Sequence, residues 1–188
     1  MDLVAWAYSV AEGRLADSLP RRWAHVRGVA ERTGRTAGLF VHEEQELLEA
    51  AAVLHDVGYA PELALTGFHP LDGARYLERQ GFPERLCGLV AHHSCAYLEA
   101  GLRELSAELA VWEDEETAVR DALWWADMTT TPDGTLTNVS DRIAEIQDRY
   151  GPQDLVSVFI RQARPELVAA VERTEERLRA AGLGHVAK

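Results

Sequence analysis

Lysine is almost missing from this chain of 188 residues: Lys188 stands alone among 19 basic residues, and the others are arginine. Schiff-base and lysine-nucleophile chemistry therefore have no internal residue to use. Cysteine is scarce as well. Cys87 and Cys95 are too few for a disulfide framework, and on one helix they would lie about 12 Å apart, beyond bridging distance. No apolar run approaches the roughly 20 residues of a membrane span. The opening stretch MDLVAWAYSVAEGR has neither a basic start nor a long apolar segment, so no secretory signal is read there. Positive charge is in deficit, with 31 acidic residues against 19 basic ones and a formal net charge of −12. A surface this acidic neither tracks nucleic-acid phosphates nor settles on anionic lipid, which argues against nucleic acid polymers and membranes as partners. These absences together predict a reduced, cytoplasmic protein of one domain's length.

Alternating strand patterns are also missing, and what remains is helical periodicity. Leu3, Val4, Trp6, Ala7 and Val10 form a stripe over residues 2–12. Pro20 suits the first turn of a helix reaching about Leu39, and a third helix spans about 43–57 through Leu47, Leu48, Ala51, Val53 and Leu54. Residues 59–69 read as loop. Pro70 opens a helix ending near Gly81, and Pro83 opens another to about Leu98. The acidic stretch from Glu99 to Glu116 reads as a solvated face. Helix resumes at 115–128, the segment TTTPDGTLTN (129–138) reads as loop, and helices follow at 139–150 and 153–182, the last broken or kinked near Pro165. Val156, Phe159, Ile160, Ala163, Leu167, Val171 and Leu178 give the last helix an apolar face. That face either covers the core or forms a homodimer contact. The expected fold is a single all-α domain over residues 1–188.

Histidine placement is unusual against this background. His25 lies in WAHVRGVA, His55-Asp56 ends the apolar helix AAVLHDVG, and His69 precedes Pro70. His92-His93 follows LVA, and Asp127 follows ALWWA. Burying a carboxylate beside an imidazole is costly unless a metal or a proton compensates. Imidazole and carboxylate without thiolate suit Fe, Mn, Co, Ni or Zn, one ion or two. His42 and His185 fit no such pattern and read as surface residues.

The ordered set His25, His55-Asp56, His69, His92-His93, Asp127 resembles the HD-domain superfamily of metal-dependent phosphohydrolases, over about residues 20–150. The resemblance implies a helical bundle with a metal site in its core, residues 153–182 packing on it. It implies His25, His55, Asp56 and Asp127 as ligands of a first divalent metal. Asp56 would bridge to a second ion held by His69 and His92. His93 would be an extra donor beside the chemistry, or the ligand in place of His92. Many such proteins carry a lysine shortly after the His-Asp pair, where this chain reads VGYAPEL. The GYP-type tail of cyclic-di-nucleotide phosphodiesterases is absent too, since HHSCAYLEAG follows the paired histidines.

The helix bearing His25 is locally basic, with Arg21, Arg22, Arg27, Arg32 and Arg35. Arg22, three residues before His25, is the expected phosphate contact. Thr130 and Asp133 are candidate substrate contacts from a loop that could close over the site. Trp124 and Trp125 read as core. The resulting expectation is a phosphomonoesterase or phosphodiesterase acting on a small phosphorylated substrate, such as a nucleotide. A metal-activated water would attack, with Asp56, His93 and Arg22 assisting. The alternatives are an HD-fold di-iron oxygenase, which Tyr59 favours, and a metal-binding module without turnover.

Overall fold

A computed structural model describes residues 2–186; Met1, Ala187 and the lone lysine, Lys188, lie outside them. The helices start where a side chain or a proline completes the first turn. Asp2 accepts the Ala5 N–H at the head of α1 (Leu3–Leu15), and Pro20 opens α2 (Pro20–Gly34). Then come α3 (His42–Leu54), α4 (His69–Gln80), α5 (Glu84–Ala91), α6 (Ala96–Leu102) and the single turn α7 (Ser106–Leu109). Thr117 caps α8 (Ala118–Met128), Asn138 caps α9 (Val139–Tyr150) and Asp154 caps α10 (Leu155–Ala180). Among the described residues there is no strand, only an isolated bridge between Thr130 and Leu136. The fold is all-α.

Helix α3 is buried along most of its length, from Leu47 to Leu54, and packs against α1, α2, α5 and α8. It therefore delivers His55 and Asp56, the residues that follow it, into the centre of the bundle. Helix α10 lies across α8 and α9, with Phe159, Ile160, Ala163, Leu167, Val171 and Leu178 buried. Both tryptophans of the WWA stretch, Trp124 and Trp125, are fully buried. Cys87 and Cys95 are both free.

Three local expectations need correction. The helix expected from Pro83 to Leu98 ends at Ala91, and a turn at His93–Cys95 separates it from α6. Ser94 and Cys95 there take left-handed backbone conformations, φ 48° and 62°. Pro165 does not break α10, which runs on through it with the proline ring at an exposed position. The acidic stretch is not wholly solvated either. Glu99 is buried and accepts from Arg103 at 2.7 Å.

Asp121, in the first turn of α8, clamps α10 in place. Its carboxylate accepts from Arg173 at 2.6 and 2.9 Å and from Arg177 at 2.7 Å. Burial pushes this carboxyl up, but the two guanidiniums outweigh burial and hold it below its ordinary range. The clamp therefore contributes stability above the unfolded carboxyl's pKa and loses it as pH falls through the lower, folded value. Both arginines are about two-fifths exposed, at 41% and 38%, so solvent screens the pair. Asp121→Asn should cost about 2 kcal/mol at neutral pH and progressively less in acid, as read by urea unfolding at several pH values.

Candidate metal centre

Five elements converge at the end of α3. His25 comes from the middle of α2, His55 and Asp56 from the end of α3, and His69 from the first turn of α4. His93 comes from the turn after α5 and Asp127 from the last turn of α8. All but His69 are nearly inaccessible to solvent.

The imidazoles are aimed by the backbone. His55 Nδ1–H donates to the Ala52 carbonyl and His93 Nδ1–H to the Val90 carbonyl, each at 2.7 Å. His25 Nδ1–H donates to the Thr131 carbonyl at 2.9 Å. Tautomers assigned from these bonds leave three bare Nε2 atoms facing one another's neighbours. His25 Nε2 is 3.1 Å from Asp127 Oδ1 and 3.9 Å from Asp56 Oδ2. His55 Nε2 is 3.5 Å from Asp56 Oδ2 and 3.9 Å from Asp127 Oδ1. On the other side, His69 Nε2 is 3.3 Å from Asp56 Oδ1 and 3.1 Å from His93 Nε2.

These donors fit a metal. His55 Nε2 is buried without a hydrogen-bond partner, and its lone pair faces two carboxylates. Electron-rich atoms turned toward each other in a dry interior need a cation between them. Ligand atoms of His25, His55 and Asp56 lie within 4.8 Å of one another, and so do those of Asp56, His69 and His93. Asp56 belongs to both groups, the arrangement a bridging carboxylate requires.

Electrostatics keeps four of the donors, Asp56, Asp127, His69 and His93, in ligand form. Burial pushes the Asp56 carboxyl up, but Arg22, His55 and His69 prevail and hold it well below the usual range. Asp127 is treated alike: burial raises it, and its polar neighbours, His25 foremost, take it far down. Burial drives His69 down to about 3 against the pull of Asp56, and lowers His93 as well. Ionised carboxylates and neutral imidazoles are what a divalent metal binds.

Around this cluster stand three further groups. Arg22 donates to Asp56 Oδ2 at 2.6 Å. Tyr59 lies between two of the site's side chains, its ring 4.0 Å from that of His69 and 3.9 Å from the Arg22 guanidinium. Ser94 Oγ donates to Asp127 Oδ2 at 2.5 Å. Sequence reading gave no role to Ser94, because nothing in HHSC marks the turn that aims it. A cavity of about 260 Å³ opens onto the cluster, lined by Arg22, Asp56, Tyr59, His69, His93 and Asp127 among others.

Several expected site residues fall elsewhere. His92 is not among these donors: once α5 stops at Ala91, its ring swings toward Trp112 and Nε2 bonds that residue's carbonyl at 2.8 Å. His93 takes the place expected of it. Thr130 is buried and spends its hydroxyl on the Ala126 carbonyl. Asp133 lies on the outside, paired with Arg21 at 2.7 Å, because Gly134 seats the loop against the backbone of α2 at Ala24 and Gly28. The loop serves the site through a backbone atom instead, the Thr131 carbonyl that holds His25. His42 and His185 are exposed, as expected.

The two adjacent histidines provide a direct test. His93→Asn should remove about half of the bound metal or more. His92→Asn should leave metal content unchanged while costing about 1–2 kcal/mol for the lost bond to Trp112. Elemental analysis and thermal melting of both variants check the pair.

The comparisons with known proteins agree with this geometry. No curated protein and no solved structure matches the chain. The profile described as HD domain matches residues 22–153, a span holding every donor of the cluster. Members of that family bind divalent metals, and the side chains gathered here are able to hold one. With well over half its length matched and the His/Asp cluster assembled in its core, this chain belongs to the HD domain family.

Proposed function

We propose that the protein is a metal-dependent phosphohydrolase acting on a small phosphate ester, with nucleotides among the candidate substrates. The observation that carries this reading is Arg22, a guanidinium that lines the cavity while bonded to Asp56 inside the donor cluster. A cation so placed suits a phosphoryl group next to a metal.

His25, His55, Asp56 and Asp127 would hold one divalent ion, and Asp56, His69 and His93 a second. The ion, one of Fe, Mn, Co, Ni or Zn, would supply a lowered pKa to bound water and charge compensation to phosphoryl oxygens. The chain's own groups do the rest. Arg22 uses one N–H on Asp56 and keeps others for the phosphoryl oxygens, offsetting the charge that grows there. Asp56, held ionised, accepts a water O–H at its carboxylate and orients it. Tyr59 braces Arg22 and His69 from between, so neither can swing away when substrate enters. A cavity of about 260 Å³ is close to the lower bound for small-molecule pockets and suits a small ester over a polymer.

The test is metal content of protein purified without chelator, for wild type and for the double variant His55→Ala/Asp56→Ala. Phosphate release from generic esters and nucleotides is followed in the same samples. One or two equivalents of metal that vanish in the variant, together with metal-dependent phosphate release, support the reading. Retained iron with O₂ consumption and no phosphate release replaces it with the di-iron oxygenase. Absence of binding after reloading with Mn²⁺, Fe²⁺ or Zn²⁺ overturns both.

A further inference from the structure

The cavity beside the donor cluster has two unlike sides. Near the donors it presents Arg22 and the carboxylates; the far side carries a carbon wall flanked by Arg142, Arg149 and Tyr150. Ile146 of α9 and Val156, Phe159 and Ile160 from the first turns of α10 form that wall. Ile146, Phe159 and Ile160 are otherwise buried, at 7%, 7% and 2% exposure, so they are fixed in place and not free to turn aside. The cations nearest this wall, Arg142 and Arg149, share the single carboxylate of Glu145, and Arg142 Nε has no hydrogen-bond partner. Across the cavity Glu99 and Arg103 satisfy each other at 2.7 Å. A hydroxyl-rich body would give up water here and meet mostly carbon, whereas an apolar body gains from the same burial.

Size points the same way. A cavity of about 150 Å³ holds a benzene ring, so about 260 Å³ accommodates a ring together with a phosphate. The family match stops at residue 153, before Val156, Phe159 and Ile160. This part of the wall is therefore contributed by a segment beyond the matched region.

We infer that the site selects phosphate monoesters whose leaving group is a flat apolar ring, and that the start of α10 holds that ring. The inference rests on the hydrolase reading for the phosphate end and adds the body of the substrate. In the reaction, the oxygen of water bonds to phosphorus while the ester P–O bond breaks. The departing oxygen takes a proton, giving a phenol or alcohol and inorganic phosphate.

The experiment pairs turnover with binding, using Mn²⁺-loaded protein. Phenyl phosphate is compared with glycerol 2-phosphate for kcat/KM, and phenylphosphonate with methylphosphonate for affinity by calorimetry. Wild type should favour the aryl member of each pair by about tenfold or more. Phe159→Ala, and Val156→Ser at a half-buried position that tolerates the change, should bring both ratios to within about threefold. Equal turnover of the two esters with equal phosphonate affinities overturns the inference and leaves the hydrolase reading standing. An aryl preference that both variants retain removes α10 from the specificity wall and also overturns it. Aryl-selective binding without any phosphate release supports the cavity assignment while overturning hydrolysis.

Discussion

Replacing Asp56 with asparagine should strip the protein of all its bound metal and cut phosphate release by about 10³-fold or more. No other side chain touches so many partners in the cluster. Oδ2 accepts from Arg22 at 2.6 Å and lies 3.5 Å from His55 Nε2, while Oδ1 lies 3.3 Å from His69 Nε2 and 3.9 Å from His93 Nε2. Asparagine keeps the shape and removes the charge, so the folded chain survives to be assayed. It also leaves Arg22, only 21% exposed, without its counter-charge. A lower melting temperature should accompany the metal loss even in chelator, where the wild type is metal-free too. Elemental analysis, phosphate assay and melting curves read the three effects separately. A variant that keeps one full equivalent of metal would show that Asp56 is not shared between the two donor groups.

The second large effect is steric. Gly58 follows the His-Asp pair by two residues, and a Cβ there would lie 2.1 Å from the His69 carbonyl oxygen and 2.6 Å from the Gly73 nitrogen. Both are backbone atoms of α4, so relief requires that the whole helix shift. Gly58→Ala should cost about 3 kcal/mol or more, near the upper end for overpacking, and should weaken metal binding because His69 rides on the displaced turn. Gly13 is the control. It sits inside α1 with nothing within 4 Å of an added Cβ, and Gly13→Ala should stabilise by about 0.5–1 kcal/mol. Urea midpoints of the two variants should move in opposite directions.

Helices with a written start were legible in the sequence. Residues 139–150 form a helix with those limits, since Asn138 supplies the cap and Gly151 the stop. The donors His25, His55, Asp56, His69 and Asp127 were legible too, because charged or imidazole side chains at the ends of apolar runs advertise a buried use. The turn after Ala91 was not legible. HHSC holds neither glycine nor proline, and its two left-handed residues are imposed by tertiary packing, which no local pattern records. That one turn decides between His92 and His93 and aims Ser94, so both details were hidden together. Thr130 and Asp133 misled for a related reason. Loop composition marks a turn, but the direction of the turn came from Gly134 meeting the backbone of α2.

The backbone at Ser94 sets a limit on how this protein can be improved. A non-glycine residue in the left-handed region carries about 1–2 kcal/mol of strain, and glycine there would release it. Glycine would also delete the hydroxyl that rests on Asp127. Glycine at position 94 would therefore exchange relief of strain for loss of a charge-assisted hydrogen bond worth about 1.5–3 kcal/mol, so the gain in stability open at other left-handed residues is cancelled here.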